Sequence, residues 1–205
     1  MRFLLTTLLL LIGTLGVVAC NPAEMTEEQL RVATPEEMTK QCQKGNAPAC
    51  VLLGIMYDNG EGVTQDDFKA VELYRQACDG KNARGCTNLG VMYSKGKGVT
   101  QDDFKAVELY RQACDGQDAR GCVGLGEIYY LGRGVRQDFF KTVEFYRKAC
   151  DGQNTDGCSN LGVMYEFGTG VRQSREDALT FYGKACDLKN ELGCKNYARL
   201  KTGKR

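Results

Sequence analysis

Residues 86–121 read CTNLGVMYSKGKGVTQDDFKAVELYRQACDGQDARG, and the chain repeats this passage four times. Cys50, Cys86, Cys122 and Cys158 each open a copy, 36 residues after the one before. Residues 62–80 and 98–116 are identical over 19 positions. A period of this size marks stacked supersecondary units, none of which can bury its apolar face alone.

Each copy carries two helical patterns. In the first, Cys86, Leu89, Gly90 and Tyr93 recur at the spacing of one helix face. Gly54, Gly90, Gly126 and Gly162 lie inside that stripe. Glycine within a helix costs roughly 1 kcal/mol against alanine, so its recurrence predicts a close helix–helix approach. Tyr57, Tyr93, Tyr129 and Tyr165 are expected to supply the bulk facing that gap. A Gly-x-Gly-Val turn follows (Gly60/Gly62, Gly96/Gly98, Gly132/Gly134, Gly168/Gly170), where glycine supplies the positive φ of a tight reversal. It follows a helix rather than a strand and lacks the Lys-Ser/Thr of a phosphate loop, so the context excludes phosphate binding.

The second helix starts at Asp66, Asp102, Asp138 or Ser174, each a good N-cap. Ala70, Leu73, Tyr74, Ala77 and Cys78 form its apolar face, with Lys69, Glu72 and Gln76 pointing away. Asp79-Gly80, Asp115-Gly116 and Asp151-Gly152 end it with a glycine C-cap signal.

Without Arg2 of the leader, basic and acidic residues balance at 26 each, which argues against a nucleic-acid surface or a polybasic membrane surface. The chain has no His, which excludes the common zinc sites and every His-dependent triad. Eleven cysteines are too many for a reducing compartment unless they bind metal, and their wide spacing without His argues against metal. Ten of them stand in pairs with seven residues between partners; Cys20 stands apart.

Met1-Arg2 followed by the apolar run Phe3 to Val18 reads as a signal peptide over residues 1–19. Val17-Val18-Ala19-Cys20 resembles the bacterial lipobox, with Val in place of Leu at its opening. That resemblance implies lipidation at Cys20, and Asn21 after it implies the outer membrane, facing periplasm or cell surface. A periplasmic or secreted protein is the alternative. Residues 20–34 are expected to be a polar tether. Thr34-Pro35-Glu36-Glu37 then gives an N-cap, Pro at N1 and the Glu of a capping box.

The recurring Cys, Leu-Gly, Tyr, Gly-x-Gly-Val, Lys-Ala-Val and Tyr-Arg-x-Ala-Cys-Asp-Gly resemble the SEL-like repeats, αα-hairpins related to tetratricopeptide repeats. With the paired cysteines, the chain closely resembles the cysteine-rich Hcp family. The resemblance implies an all-α fold, a right-handed αα-hairpin solenoid stapled by disulfides. It would comprise a half-unit at 35–46, repeats at about 47–82, 83–118, 119–154 and 155–190, a capping helix at 191–200 and a basic tail at 201–205. Two pairing schemes suit the cysteines. Joining Cys50 to Cys78 and so on strands Cys42 and Cys194. Pairing Cys42–Cys50, Cys78–Cys86, Cys114–Cys122, Cys150–Cys158 and Cys186–Cys194 strands none, and agrees with the resemblance.

The resemblance also implies that first helices line a concave side that holds extended peptides. Positions that vary between copies are Leu52/Asn88/Gly124/Asn160/Asn196, Ile55/Val91/Glu127/Val163/Arg199 and Asn59/Lys95/Leu131/Phe167. From these, Asn88, Lys95, Glu127, Leu131, Asn160, Phe167 and Asn196 are the candidate binding residues for a peptide or protein partner. Asn can donate to and accept from a peptide backbone. No cofactor or metal is expected. Some Hcp relatives are named as β-lactamases or penicillin-binding proteins, so weak β-lactam hydrolysis, or binding of a cell-wall peptide, is the alternative. Ser94-Lys95-Gly96-Lys97 and Lys201-Thr202-Gly203 match the S-x-x-K and K-T-G patterns, but Ser94 would end a helix, Lys201 would lie in the tail and S-D-N is missing. No residue is put forward as catalytic.

Overall fold

A computed structural model describes residues 25–203 other than Arg31; the leader and Cys20 lie outside the described residues. Within them there are eleven helices and no strand. After α1 (Glu27–Leu30) and α2 (Pro35–Gln43) come four antiparallel pairs. These are α3 (Ala47–Asn59) with α4 (Asp67–Asp79), α5 (Ala83–Lys95) with α6 (Asp103–Asp115), α7 (Ala119–Leu131) with α8 (Phe139–Asp151), and α9 (Thr155–Phe167) with α10 (Arg175–Asp187). α11 (Glu191–Thr202) closes the stack and takes in Lys201 and Thr202.

Caps set the helix starts. Asn46, Asn82, Asp118, Asn154 and Asn190 accept a backbone N–H at the start of each first helix and of α11. Asp66, Asp102, Asp138 and Ser174 do so for the second helices. Thr34 and Glu37 form the full capping box of α2. Gly60, Gly96, Gly132 and Gly168 end the first helices in the left-handed conformation expected of them.

Gly80, Gly116 and Gly152 do something else. Their φ values are −74°, −79° and −77°, and the left-handed residue is the next one: Lys81, Gln117 or Gln153. Glycine is required there by packing. A Cβ would stand 3.1, 2.8 or 2.9 Å from the Cβ of Ala47, Ala83 or Ala119, in the first turn of the same repeat's first helix.

The close approach at Gly54, Gly90, Gly126 and Gly162 is present, but its partner differs from the expectation. Rings of Tyr74, Tyr110, Tyr146 and Tyr182 on the second helices fill the space, with carbons 2.4–2.8 Å from where a Cβ would lie. Tyr57, Tyr93 and Tyr165, half-buried, and Tyr129, buried, instead tie neighbouring elements together. Lys69, Lys105 and Lys141 lie about 5 Å over the first three rings. Arg75, Arg111 and Arg147 donate to the hydroxyls of Tyr93, Tyr129 and Tyr165 in the following repeat.

The cysteines are joined in the eight-apart scheme, with Cα–Cα separations of 4.4–4.7 Å. Each of the last four bridges joins a second helix to the first helix that follows it. Covalent links therefore sit at the repeat junctions. At the N-terminal end the expected tether is partly docked. Leu30 is fully buried among Met38, Cys42, Ala49 and Leu53, and Asn46 donates to the carbonyl of Met25. Those contacts cover an end that a stack would otherwise expose.

Candidate functional site

First helices of successive repeats touch one another, α3 on α5, α5 on α7, α7 on α9 and α9 on α11, whereas second helices do not approach each other as closely. A stack closer on one side than the other curves toward that side. The first helices therefore form the inner face.

Along that face the candidate residues separate into three groups. Gly124 is buried because the ring of Tyr110 occupies the space of its missing side chain, with ring atoms 2.9–3.0 Å from where a Cβ would lie. Asn88 is half-buried on the same face. Arg199 donates to both oxygens of Glu166 at 2.7 Å and locks α11 onto α9. Gly124 and Arg199 therefore serve the stack. Lys95, Glu127, Leu131 and Phe167 are exposed, Asn160 and Asn196 half-buried. Of these, Asn160 and Phe167 meet in one cleft of about 240 Å³, together with Tyr130, Tyr146, Val163, Met164 and Thr169.

Charge at the inner edge follows the repeat with one interruption. Lys97 bonds to Asp58 and lies 3.2 Å from Asp67, so it bridges the first and second repeats. Arg133 donates to Asp103 at 2.6 Å and to the carbonyl of Ser94 at 2.8 Å, bridging the second and third. At the third and fourth, Thr169 stands where the cation is expected. Tyr130 and Phe139 occupy the positions of Asp58 and Asp67, and their rings pair at 5.5 Å. Glu127 makes no ion pair among the described residues. Desolvation, and then the charge of Asp156, raise its pKa, with Lys95 opposing.

The four second-helix tyrosines point into this same edge. Tyr74 donates to Asp58 at 3.4 Å and Tyr182 to Glu166 at 2.8 Å, and the residue at the matching position in the second repeat, beside Tyr110, is Ser94. Burial pushes the Tyr110 phenol up to about 12. Tyr146 has no such partner among the described residues. Helical spacing places these tyrosines in the apolar face and says nothing of their hydroxyls. The break is visible once the copies are aligned: residues 58, 94, 130 and 166 read Asp, Ser, Tyr, Glu, and residues 97, 133 and 169 read Lys, Arg, Thr.

The S-x-x-K match has a structural use. Ser94 sits in the last turn of α5, and its carbonyl accepts from Arg133. Lys97 has its pKa raised, first by its hydrogen bond to Asp58. A general base needs the opposite shift.

The Sel1 repeat model matches residues 47–82, 83–118, 119–154 and 155–190. The chain belongs to the Sel1 repeat family. It is similar to a protective antigen of uropathogenic Escherichia coli that displays an SLR fold, with 34% identity and a TM-score of 0.74. The match covers 80% of this chain and 35% of that one, so the chain spans little more than a third of the antigen's length. Helicobacter pylori cysteine rich protein B is 33% identical, covers 67% of this chain and 98% of that one, and has a TM-score of 0.53. A Sel1 repeat protein from Oxalobacter formigenes is 26% identical with a TM-score of 0.66, over 75% of this chain and 62% of that one. No curated protein matches the chain. This Sel1-repeat member is thus a scaffold of the kind that generally works through protein–protein contacts. Its five bridges, and its likeness to a cysteine-rich protein, suit an extracytoplasmic setting.

Proposed function

We propose that this Sel1-repeat protein is exported, held at the cell envelope by lipid on Cys20, and binds peptide segments of a partner protein along its inner face. One observation carries the binding reading. Inner-face side chains that differ from copy to copy leave Tyr130 and Phe167 exposed at 43 and 67% on the walls of a cleft between first helices, with exposed Leu131 next to Tyr130 in the chain. Exposed large apolar groups gathered at one place mark interaction sites, whereas scattered ones need no explanation. Half-buried Asn160 in the same cleft supplies donors and an acceptor for a main chain.

Export and anchoring rest on the leader and on Cys20, the cysteine left over from the five pairs. Acylation at more than one position would make attachment stable, since a single chain binds only marginally. Labelled palmitate should enter the wild-type chain and not Cys20→Ala; equal labelling of both would contradict the anchor.

Binding is tested by recovery of envelope proteins on the oxidised chain beside two variants. Asn88→Ala with Asn160→Ala should lose the partner that wild type enriches, and Phe104→Ser on the second-helix side should keep it. Loss with Phe104→Ser and retention with the asparagine variant would move the site off the inner face.

A further inference from the structure

We infer that the junction of the third and fourth repeats is a built peptide pocket, taking one large apolar side chain beside a basic residue, with the Tyr146 hydroxyl donating to the peptide main chain. This rests on the inner-face reading above and assigns its location and ligand chemistry.

The chain provides its own controls, because the same tyrosine occurs four times. Each ring is seated on a glycine of the first helix, so all four hydroxyls reach the same level of the stack. Two bond to a polar side chain there, Asp58 and Glu166, and the second repeat offers Ser94 at the same position. In the third repeat that position is Tyr130, and the Tyr146 hydroxyl is left without a partner among the described residues. Tyr146 is only 5% exposed, yet it lines the cleft. A buried tyrosine usually has a hydrogen-bond partner, and a donor left open toward a cleft is suited to an incoming acceptor.

The same junction has lost its ionic closure. Lys97 and Arg133 seal the two preceding junctions against Asp58, Asp67 and Asp103. Thr169 and Phe139 replace both partners of that clamp, which leaves an aromatic rim with Asn160 inside it. The opening, about 240 Å³, falls below the roughly 300–1,000 Å³ of clefts that bury drug-sized ligands. It suits one side chain of a peptide, laid against Val163 and Phe167 over Met164. Glu127, one helical turn before Tyr130 and without an ion pair among the described residues, sets the charge preference. Asp156 adds to its field and Lys95 subtracts from it. A Lys or Arg next to the anchoring side chain would complete Glu127, while a carboxylate would be repelled.

The probe is an array of peptides Gly-Ser-X-Z-Ser-Gly, with X as Gly, Leu or Phe and Z as Lys, Gln or Glu, read with the oxidised mature chain. Leu or Phe at X with Lys at Z should bind best, and Gly at X or Glu at Z should weaken binding about tenfold or more. Tyr146→Phe should weaken it by roughly 2–12-fold, the loss of one hydrogen bond. Tyr130→Asp with Thr169→Lys installs the counterparts of the Asp58–Lys97 pair of the first junction and should abolish capture.

Folding is checked by melting. Tyr146→Phe should melt no lower than wild type, because no internal bond is lost, whereas Tyr182→Phe should melt lower. A fall for Tyr146→Phe equal to that for Tyr182→Phe would show a partnered hydroxyl and overturn the inference. So would capture indifferent to X and Z, or capture unchanged in Tyr146→Phe. Capture lost in Asn88→Ala but retained in the double transplant would overturn this pocket and leave the inner-face reading standing. No capture of any peptide would overturn both.

Discussion

Gly90 and Gly183 both lie inside helices, yet alanine has opposite expected effects at the two. At Gly90 a Cβ would press into the ring of Tyr110 at 2.8 Å, and overpacking of this kind costs about 1–3 kcal/mol. That outweighs the gain of up to ~1 kcal/mol from removing glycine from a helix. At Gly183 the nearest atom is a ring carbon of Tyr197 at 3.5 Å, an ordinary contact, so only the gain remains. Gly90→Ala should therefore lower the denaturation midpoint and Gly183→Ala should hold or raise it. Equal effects would mean that the tyrosine notch does not decide helix packing. Glycine's recurrence discloses the notch, because no other reason places it repeatedly in a buried stripe. The identity of the filling tyrosine is not legible in the sequence: both candidates recur every 36 residues, and only the pairing of helices distinguishes them.

Helix ends can be compared in the same way. Four of the five first-type helices start on Asn, and α7 starts on Asp118. Burial works to raise the Asp118 pKa, but Arg120, and then Thr87 of α5, more than offset it and hold the value below the ordinary 3.8. A carboxyl with a lowered folded pKa contributes stability that is present above its unfolded value and is lost as pH falls through the folded one. Asp118→Asn keeps the cap, as the other helices show, but gives up the carboxylate's contribution, so it should lower stability modestly near neutrality and flatten acid unfolding below about pH 4. Asp118→Ala should cost about 1 kcal/mol at neutral pH as well. An acid profile unchanged in Asp118→Asn would leave the carboxylate with no part in acid stability. The helices themselves are largely readable from caps and turn glycines. Gly80, Gly116 and Gly152 mislead, since a glycine after a helix signals a left-handed turn and a tight contact alike. The fate of residues 25–30 is also hidden: one apolar residue, Leu30, decides that this segment docks, and it shows no period.

Over the whole molecule, bridges at the junctions make cooperativity a covalent matter. Each closes a short loop, and chain entropy assigns it about 2–3 kcal/mol. Cys114→Ala with Cys122→Ala removes the central joint and should separate unfolding into two hydrogen-exchange groups, α3–α6 and α7–α11. The corresponding change at Cys186 and Cys194 should release α11 alone. A single cooperative loss in both would show that packing, not the bridges, couples the repeats. The architecture is legible because it depends on what recurs. The candidate site is only partly so, because Asn160 and Phe167 vary visibly, while Tyr146 repeats and is distinguished only by what its neighbours lack. Repetition does not always mean burial: Phe68, Phe104 and Phe140 recur and are exposed on the second helices. That row is the natural competitor to the inner face. Amide chemical-shift mapping of the oxidised chain with the best-bound peptide of the Leu/Phe-Lys series decides between them. Shifts centred on Glu127, Tyr130, Asn160 and Phe167 are predicted; shifts centred on Phe68, Phe104 and Phe140 would contradict an inner-face binding site.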